Sequence, residues 1–207
     1  MERPLAAIVL AAGLGTRMRS EHAKVLHELG GEPMIARSLR AFAALGPEPL
    51  IVVVGYQAQE VESAARRSQP RANLEFAVQR AQRGTGDAAR AAIAELPQAF
   101  AGDVLIGSGD MPMIESATLR DFVAAHRQRE RPLSFVSIRL EEPGAYGRVI
   151  RDATGIVSAI VEARDASPTE RAVNEVNTGI YLADAKFLRT ALAELEPNNA
   201  QHEYYLT

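Results

Sequence analysis

Between Gly13 and Lys24 the chain sets a small-residue loop, Gly13-Leu14-Gly15-Thr16, close to two cations, Arg17 and Lys24. A loop of small residues lets an anion approach backbone N–H groups, and a guanidinium and an ammonium beside it add full positive charge. The chemistry on offer is phosphate binding. Basic residues elsewhere are nearly all arginine, and the only lysines are Lys24 and Lys186, so Lys24 offers a compact ammonium where arginine is the rule. Farther along, Asp110 follows the apolar run Val104-Leu105-Ile106 through Gly107-Ser108-Gly109. A carboxylate there suits Mg²⁺, which takes one or two carboxylates together with phosphate oxygens and water. Residue type alone leaves other readings open: Arg17 and Lys24 as surface cations, Asp110 as a turn aspartate.

These residues must be positioned by the segments before them. Ala6 to Leu10 is an apolar run that reads as a buried strand ending at the loop. Leu50–Val54 is a continuous, mostly β-branched run, the pattern of a buried parallel strand. Strands are also expected over Leu74–Val78, Asp103–Gly107 and Leu133–Leu140, and helices over 34–45, 57–67, 85–96 and 116–129. Gly46-Pro47 and Pro97 stop two of these helices, and Ser116 can cap a third. Strand and helix thus alternate, which predicts an α/β fold with a mainly parallel sheet. Ligands of such sheets bind beyond the carboxyl ends of the strands. The Gly13 loop and Asp110 should both lie on that edge.

The last third differs. Tyr146–Ile150 and Gly155–Val161 flank Asp152-Ala153-Thr154-Gly155, a hairpin signal. Residues 162–174 are polar and irregular, Asn177–Leu182 reads as a strand, and Asp184 can cap a helix over 185–195. No internal repeat or linker is visible. The expectation is one domain over 1–207, dividing at about residues 112–113, with a more antiparallel, substrate-facing second half.

Bulk properties exclude several classes. The 207 residues can bury a sizeable core, and a formal net charge of -3 disfavours general nucleic-acid or membrane-surface binding. The chain has no cysteine, hence no disulfide, thiolate metal site or cysteine nucleophile. No leader is apparent, and no apolar run reaches the ~18 residues of a membrane span. A cytoplasmic protein is expected.

Two familiar phosphate loops fail by residue. A dinucleotide loop needs glycine where Met18 stands and an acidic residue after the second strand, where Val54-Gly55-Tyr56 stands. A P-loop needs G-x-x-x-x-G-K-[ST], which is absent. Ala11-Ala12-Gly13-Leu14-Gly15-Thr16-Arg17-Met18 instead resembles the signature of the sugar-nucleotide pyrophosphorylases. Gln79, Gly84-Thr85-Gly86, Gly109-Asp110-Met111-Pro112, Gly144 to Val149, Ile160-Val161-Glu162 and Glu175 to Ile180 follow in the same order and at similar spacing. Together they resemble the uridyltransferase domain of bacterial bifunctional N-acetylglucosamine-1-phosphate uridyltransferases, the GlmU type, over essentially the whole chain.

That resemblance implies a Rossmann-like mixed sheet flanked by helices, the nucleotide-diphospho-sugar transferase fold. It also implies uridylyl transfer from UTP to N-acetylglucosamine 1-phosphate, giving UDP-N-acetylglucosamine and pyrophosphate with Mg²⁺. Leu10, Ala11, Ala12 and Gly13 would then hold the base and ribose region by backbone, with Gly15 and Thr16 along the phosphates. Arg17 and Lys24 would be the catalytic cations. Gln79, Gly84 and Thr85 would read uracil, while Ser108 and Gly109 lead to the metal ligand Asp110. Gly147, Glu162 and Asn177 would hold the sugar. By local sequence alone, Thr85 also reads as a helix start and Glu162 as a solvated charge.

Departures from the family pattern carry expectations too. Leu14 replaces a frequent lysine, Asp87 stands where the family has histidine, Ala23 replaces a proline and Ser108 a tyrosine. The family's late metal-binding asparagine and its C-terminal β-helix have no counterpart before Thr207. The expectation is a truncated chain with impaired turnover that is monomeric or weakly self-associating. A cytidylyltransferase or other sugar-1-phosphate nucleotidyltransferase of the same fold, and a non-catalytic sugar-nucleotide-binding module, remain alternative readings.

Overall fold

The computed structural model describes residues 3–15, 18, 20–129 and 131–207. Thr16 and Arg17, two of the expected phosphate contacts, lie outside the described residues.

The first half alternates as the hydrophobic pattern requires. β1 (Leu5–Leu10), β2 (Leu50–Val54), β3 (Leu74–Val78) and β4 (Asp103–Ser108) are joined through α1 (Met34–Ala43), α2 (Ala58–Ser68) and α3 (Thr85–Glu95). β1 pairs in parallel with β2 on one side and β4 on the other, and β3 pairs in parallel with β2. β1 and β2 can be apolar on both faces because helices cover both. Ala7, Val9, Val52 and Val54 pack with Ile35, Leu39 and Phe42 of α1, whereas Ile8, Ile51, Val53 and Ile106 pack with Ala88, Ala89, Ala92 and Ile93 of α3.

α4 (Ser116–Arg129) leads into the second half, which contains β5 (Leu133–Arg139), β6 (Arg148–Arg151), β7 (Val157–Val161), α5 (Pro168–Arg171), β8 (Glu175–Asp184) and α6 (Ala185–Glu194). All eight strands belong to one sheet of order β3-β2-β1-β4-β8-β6-β7, with β5 also on β8. β8 runs antiparallel to β4, β5 and β6, and β7 is antiparallel to β6. β1 through β6 therefore point the same way, as the mainly parallel reading expects, and only β7 and β8 are reversed.

Two elements differ from the sequence expectation. The polar stretch 162–174 contains the one-turn α5, closed by a capping box in which Ser167 accepts from the Glu170 N–H and the Glu170 carboxylate accepts from the Ser167 N–H. β8 is longer than expected by two residues at each end, because Glu175 and Val176 pair with Arg139 and Ile138 of β5 while Ala183 and Asp184 pair with Val104 and Asp103 of β4. Its C-terminal part pairs with β4, while its N-terminal end meets β6 at Arg148–Val176. β4 and β6 thus occupy different stretches of β8 and leave a gap between them. Loops after β1, β3 and β4 open onto that gap.

Candidate active site

A cleft of about 630 Å³ fills the gap. Leu10, Ala12, Gly13, Gly15, Gln79, Gly84, Thr85 and Ser108 line it from the first half, and Gly147, Glu162 and Asn177 from the second. These expected residues share one cavity, whereas Ala11, Lys24, Gly109 and Asp110 do not line it.

The loop after β1 is pinned at its start. The Ala11 N–H donates to the Val53 carbonyl at 2.8 Å, and the Ala12 carbonyl accepts from Tyr56 N and Gln82 Nε2. Ala11 is buried in the core rather than lining the cleft. Gly13 is exposed, and a Cβ added to it would meet nothing within 4 Å. Gly15 is different: its φ is +64, and a Cβ would stand 2.6 Å from the Lys24 Cβ. Glycine there lets the loop lie directly on the residue that carries the ammonium.

Lys24 opens a 3-10 turn, Lys24–Leu26, after buried Ala23. The Ala23 N–H donates to Gln57 Oε1 at 2.6 Å, and the Tyr56 hydroxyl donates to the Glu21 carbonyl. The loop after β2 thus holds the segment that presents Lys24. The Lys24 ammonium pairs with the Asp110 carboxylate. Neither side chain lines the cleft itself; the pair lies beside Gly15 and Ser108, which do. Gly109, behind Asp110, donates its N–H to the Leu10 carbonyl at 2.9 Å and packs on Ala11 and Val25. Burial would raise the Asp110 pKa, but hydrogen bonds from Lys24 and Ser108 outweigh it and hold the carboxyl below its ordinary value. Asp110 is thus ionised and half-buried, which fits a ligand for a hard cation that keeps waters and phosphate oxygens. Among the described residues no group of three or more His, Asp or Glu is placed to hold a metal.

At the opposite end the Gly147 carbonyl accepts from the Asn177 N–H at 2.9 Å, and a Cβ on Gly147 would lie 3.0 Å from Glu162 Oε1. Asn177 Oδ1 accepts from the Gly179 N–H, and its Nδ2 donates to the Tyr181 hydroxyl. Burial pushes the Tyr181 pKa up to about 12, against the Asn177 hydrogen bond and with the Glu162 charge. Burial also raises Glu162, and Asp165 adds to the effect, while a hydrogen bond from Thr207 opposes it. Glu162 is therefore a half-buried carboxylate facing the cleft, not a solvated surface charge.

Sequence reasoning missed part of the lining. Gln82, Tyr146, Glu203, Tyr205 and Thr207 also face the cavity. The 203–207 segment docks on the loop before α3: the Tyr204 N–H donates to the Arg83 carbonyl, the Gly86 N–H to the Tyr204 carbonyl, and the Leu206 N–H to Thr85 Oγ1. The Arg90 guanidinium lies 4.4 Å from the centre of the Tyr204 ring. Conformation supplies the only local signal for this docking. Gly84 sits at φ +104, and a Cβ there would lie 2.4 Å from the Tyr204 carbonyl oxygen.

Known proteins resemble this chain in sequence and in fold. The sequence profile of the MobA-like NTP transferase domain matches residues 7–196. The bifunctional protein GlmU of Anaeromyxobacter dehalogenans is 49% identical over 204 residues, covering 99% of this chain and 42% of that protein. GlmU of Corynebacterium aurimucosum is 45% identical, covering 98% and 42%. This chain thus spans less than half the length of these relatives. Among solved structures, a UDP-glucose pyrophosphorylase in complex with UDP-glucose superposes with a TM-score of 0.76 at 16% identity, over 100% of this chain and 84% of that one. HddC from Yersinia pseudotuberculosis gives 0.68 at 19% identity, over 89% and 79%. At these identities the structural likeness speaks for the fold.

Proposed function

The chain belongs to the MobA-like NTP transferase domain family, and we propose that its cleft transfers a uridylyl group from UTP to N-acetylglucosamine 1-phosphate, releasing pyrophosphate and forming UDP-N-acetylglucosamine. The observation that carries this reading is the meeting of two residue sets in one cavity. Gln79, Gly84, Thr85 and the Gly13–Gly15 loop stand at one end, and Gly147, Glu162 and Asn177 at the other. The first set suits a nucleoside triphosphate and the second a hexose, and the GlmU relatives supply the choice of sugar and nucleotide. The chain then divides its labour at about residue 112, with nucleotide contacts before it and sugar contacts after.

The sugar phosphate is already an anion, so its attack on the α-phosphorus needs neither a protein nucleophile nor a general base. The obstacle is bringing two polyanions together and neutralising the charge that grows on the leaving pyrophosphate. This task is assigned to Lys24, and the assignment is supported by the turn it opens and the Gly15 loop lying against it. Arg17, in the same loop, is assigned the outer phosphates, where its fork of donors can bind two oxygens at once. Mg²⁺ would be held by Asp110, and when bound it supplies charge neutralisation to the phosphates. Lys24, bonded to the same carboxylate, is then close enough to share that task. Glu162 and Asn177 orient the hexose, and Gly147 keeps the Glu162 carboxylate close by having no side chain.

Pyrophosphate release, measured for UTP, CTP and GTP against N-acetylglucosamine 1-phosphate with and without Mg²⁺, tests the proposal. Release that requires UTP, the amino sugar phosphate and the metal is expected. Faster release with CTP or GTP would assign the cleft to a sister nucleotidyltransferase.

A further inference from the structure

Gln79 directly follows β3, with its side chain almost wholly inside the protein at 6% exposure, and lines the nucleotide end of the cleft. Its amide nitrogen makes two hydrogen bonds. Nε2 donates to the Gly84 carbonyl at 3.0 Å and to Asp87 Oδ2 at 2.9 Å. Neither partner can donate in return, since a carbonyl never does and an ionised carboxylate has no proton. Turning the amide over would press its oxygen against two acceptors in a site largely closed to water, and an unpaired polar contact there is costly. The amide is therefore fixed in one sense. Its carbonyl oxygen has no hydrogen-bond partner among the described residues and is not sealed from the cleft.

Asp87 is itself held in place. Its carboxylate is only 13% exposed and receives Arg83 Nη2 at 3.2 Å through its other oxygen. It lies in the first turn of α3, where a negative charge is favoured. Asp87 thus faces Gln79 rather than a ligand.

An amide held this way offers the ligand an acceptor and withholds its donors. The N3–H edge of uracil is a donor and matches it. Cytosine carries a bare acceptor at N3 and opposes it. We propose that Asp87 is the positioning residue that sets the choice between uracil and cytosine, acting through the orientation of Gln79. This rests on the assignment of the Gln79 end of the cleft to the nucleotide base.

The test is calorimetric binding of UTP and of CTP, each with Mg²⁺, to the unmodified chain and to Asp87→Ala, Asp87→Asn and Gln79→Ala. A site built around one donor–acceptor match can discriminate by up to about 10⁴-fold, and a UTP preference of at least about 10²-fold is expected here. Asp87→Ala leaves the amide held by the Gly84 carbonyl alone, so the turned form opposes one acceptor instead of two, and the preference should fall at least about tenfold. Asp87→Asn keeps an acceptor oxygen and should retain it. Thermal melts of each variant register loss of the Arg83 pair, which would weaken both nucleotides together without changing their ratio. An unchanged ratio in Asp87→Ala, alongside a collapsed ratio in Gln79→Ala, overturns the positioning role and leaves the base site standing. A ratio unchanged by Gln79→Ala, or equal binding of UTP and CTP by the unmodified chain, removes the base site itself and the inference with it.

Discussion

Gly15→Ala is the substitution that most cleanly connects backbone geometry to chemistry. The added Cβ would stand 2.6 Å from the Lys24 Cβ and 3.3 Å from its Cα. Ordinary contact begins at 3.4 Å, so the side-chain root of Lys24 or the loop must retreat by about 0.8 Å. The Lys24 Cβ is anchored to its backbone and cannot swing aside as a side-chain tip could. Alanine at φ +64 adds roughly 1–2 kcal/mol of backbone strain. Gly31 separates the two effects, because it has a similar φ of +77 while a Cβ there meets nothing within 4 Å. Gly31→Ala should lower stability by about the strain alone and leave transfer unchanged. Gly15→Ala should cost about as much stability and, beyond it, about 10²-fold in kcat, the usual penalty for displacing a charge-stabilising group by about an ångström. Steady-state pyrophosphate release with parallel urea melts reads both quantities. If Gly15→Ala loses stability as Gly31→Ala does and keeps full kcat, the loop does not position Lys24.

Other perturbations reach the remaining parts of the site. Gly84→Ala should loosen the 203–207 segment, because its Cβ would lie 2.4 Å from the Tyr204 carbonyl; faster hydrogen exchange at the Gly86 and Tyr204 amides and a loss of about 3 kcal/mol in stability are expected from strain and broken hydrogen bonds. Glu162→Gln should raise the melting temperature near neutral pH. Burial lifts the Glu162 pKa, so its protonated form suits the fold, and that contribution is complete below the ordinary carboxylate pKa and lost as pH rises through the lifted value. The gain from the amide should therefore vanish at about pH 4. Asp103→Asn should cost about 3 kcal/mol by chemical denaturation, since the carboxylate is 1% exposed and faces Arg3 at 2.7 Å and Arg127 at 2.9 Å. Asp103 begins β4, at the strand end opposite the cleft, and nucleotide affinity should be unchanged.

Much of this arrangement is legible in one dimension because its causes are local. A continuous Leu50–Val54 run requires cover on both faces, and that alone implies helices on both sides of a parallel sheet. The loop at Gly13 and Gly15 follows a strand, so its place on the carboxyl edge follows from chain direction. Asp184 caps α6 as expected, accepting from the Phe187 N–H at 3.0 Å. The capping box of α5 has a sequence signature, Ser167 followed by Glu170, which the polar composition of its surroundings obscures. The last strand looks shorter than it is because its ends, Glu175-Val176 and Ala183-Asp184, are held by partners on β5 and β4 that are distant in sequence. Other features depend on distant partners. Lys24 meets Asp110, Gln79 meets Asp87, and the 203–207 segment crosses to Arg83–Gly86; residue type and spacing carry no record of those meetings. Leu14 is an exposed apolar residue on the cleft wall, and nothing in the structure explains it.

The central proposal is that one cleft both binds a uridylyl sugar and breaks its diphosphate bond. Mixing UDP-N-acetylglucosamine with labelled pyrophosphate and Mg²⁺ runs the reaction backwards from a single ligand that must span both ends of the cavity. Label should appear in UTP, and replacing Lys24 with alanine should slow its appearance by about 10²–10³-fold with little change in the affinity for the sugar nucleotide. Tight binding of UDP-N-acetylglucosamine with no label in UTP would contradict the proposal and leave a binding module in its place.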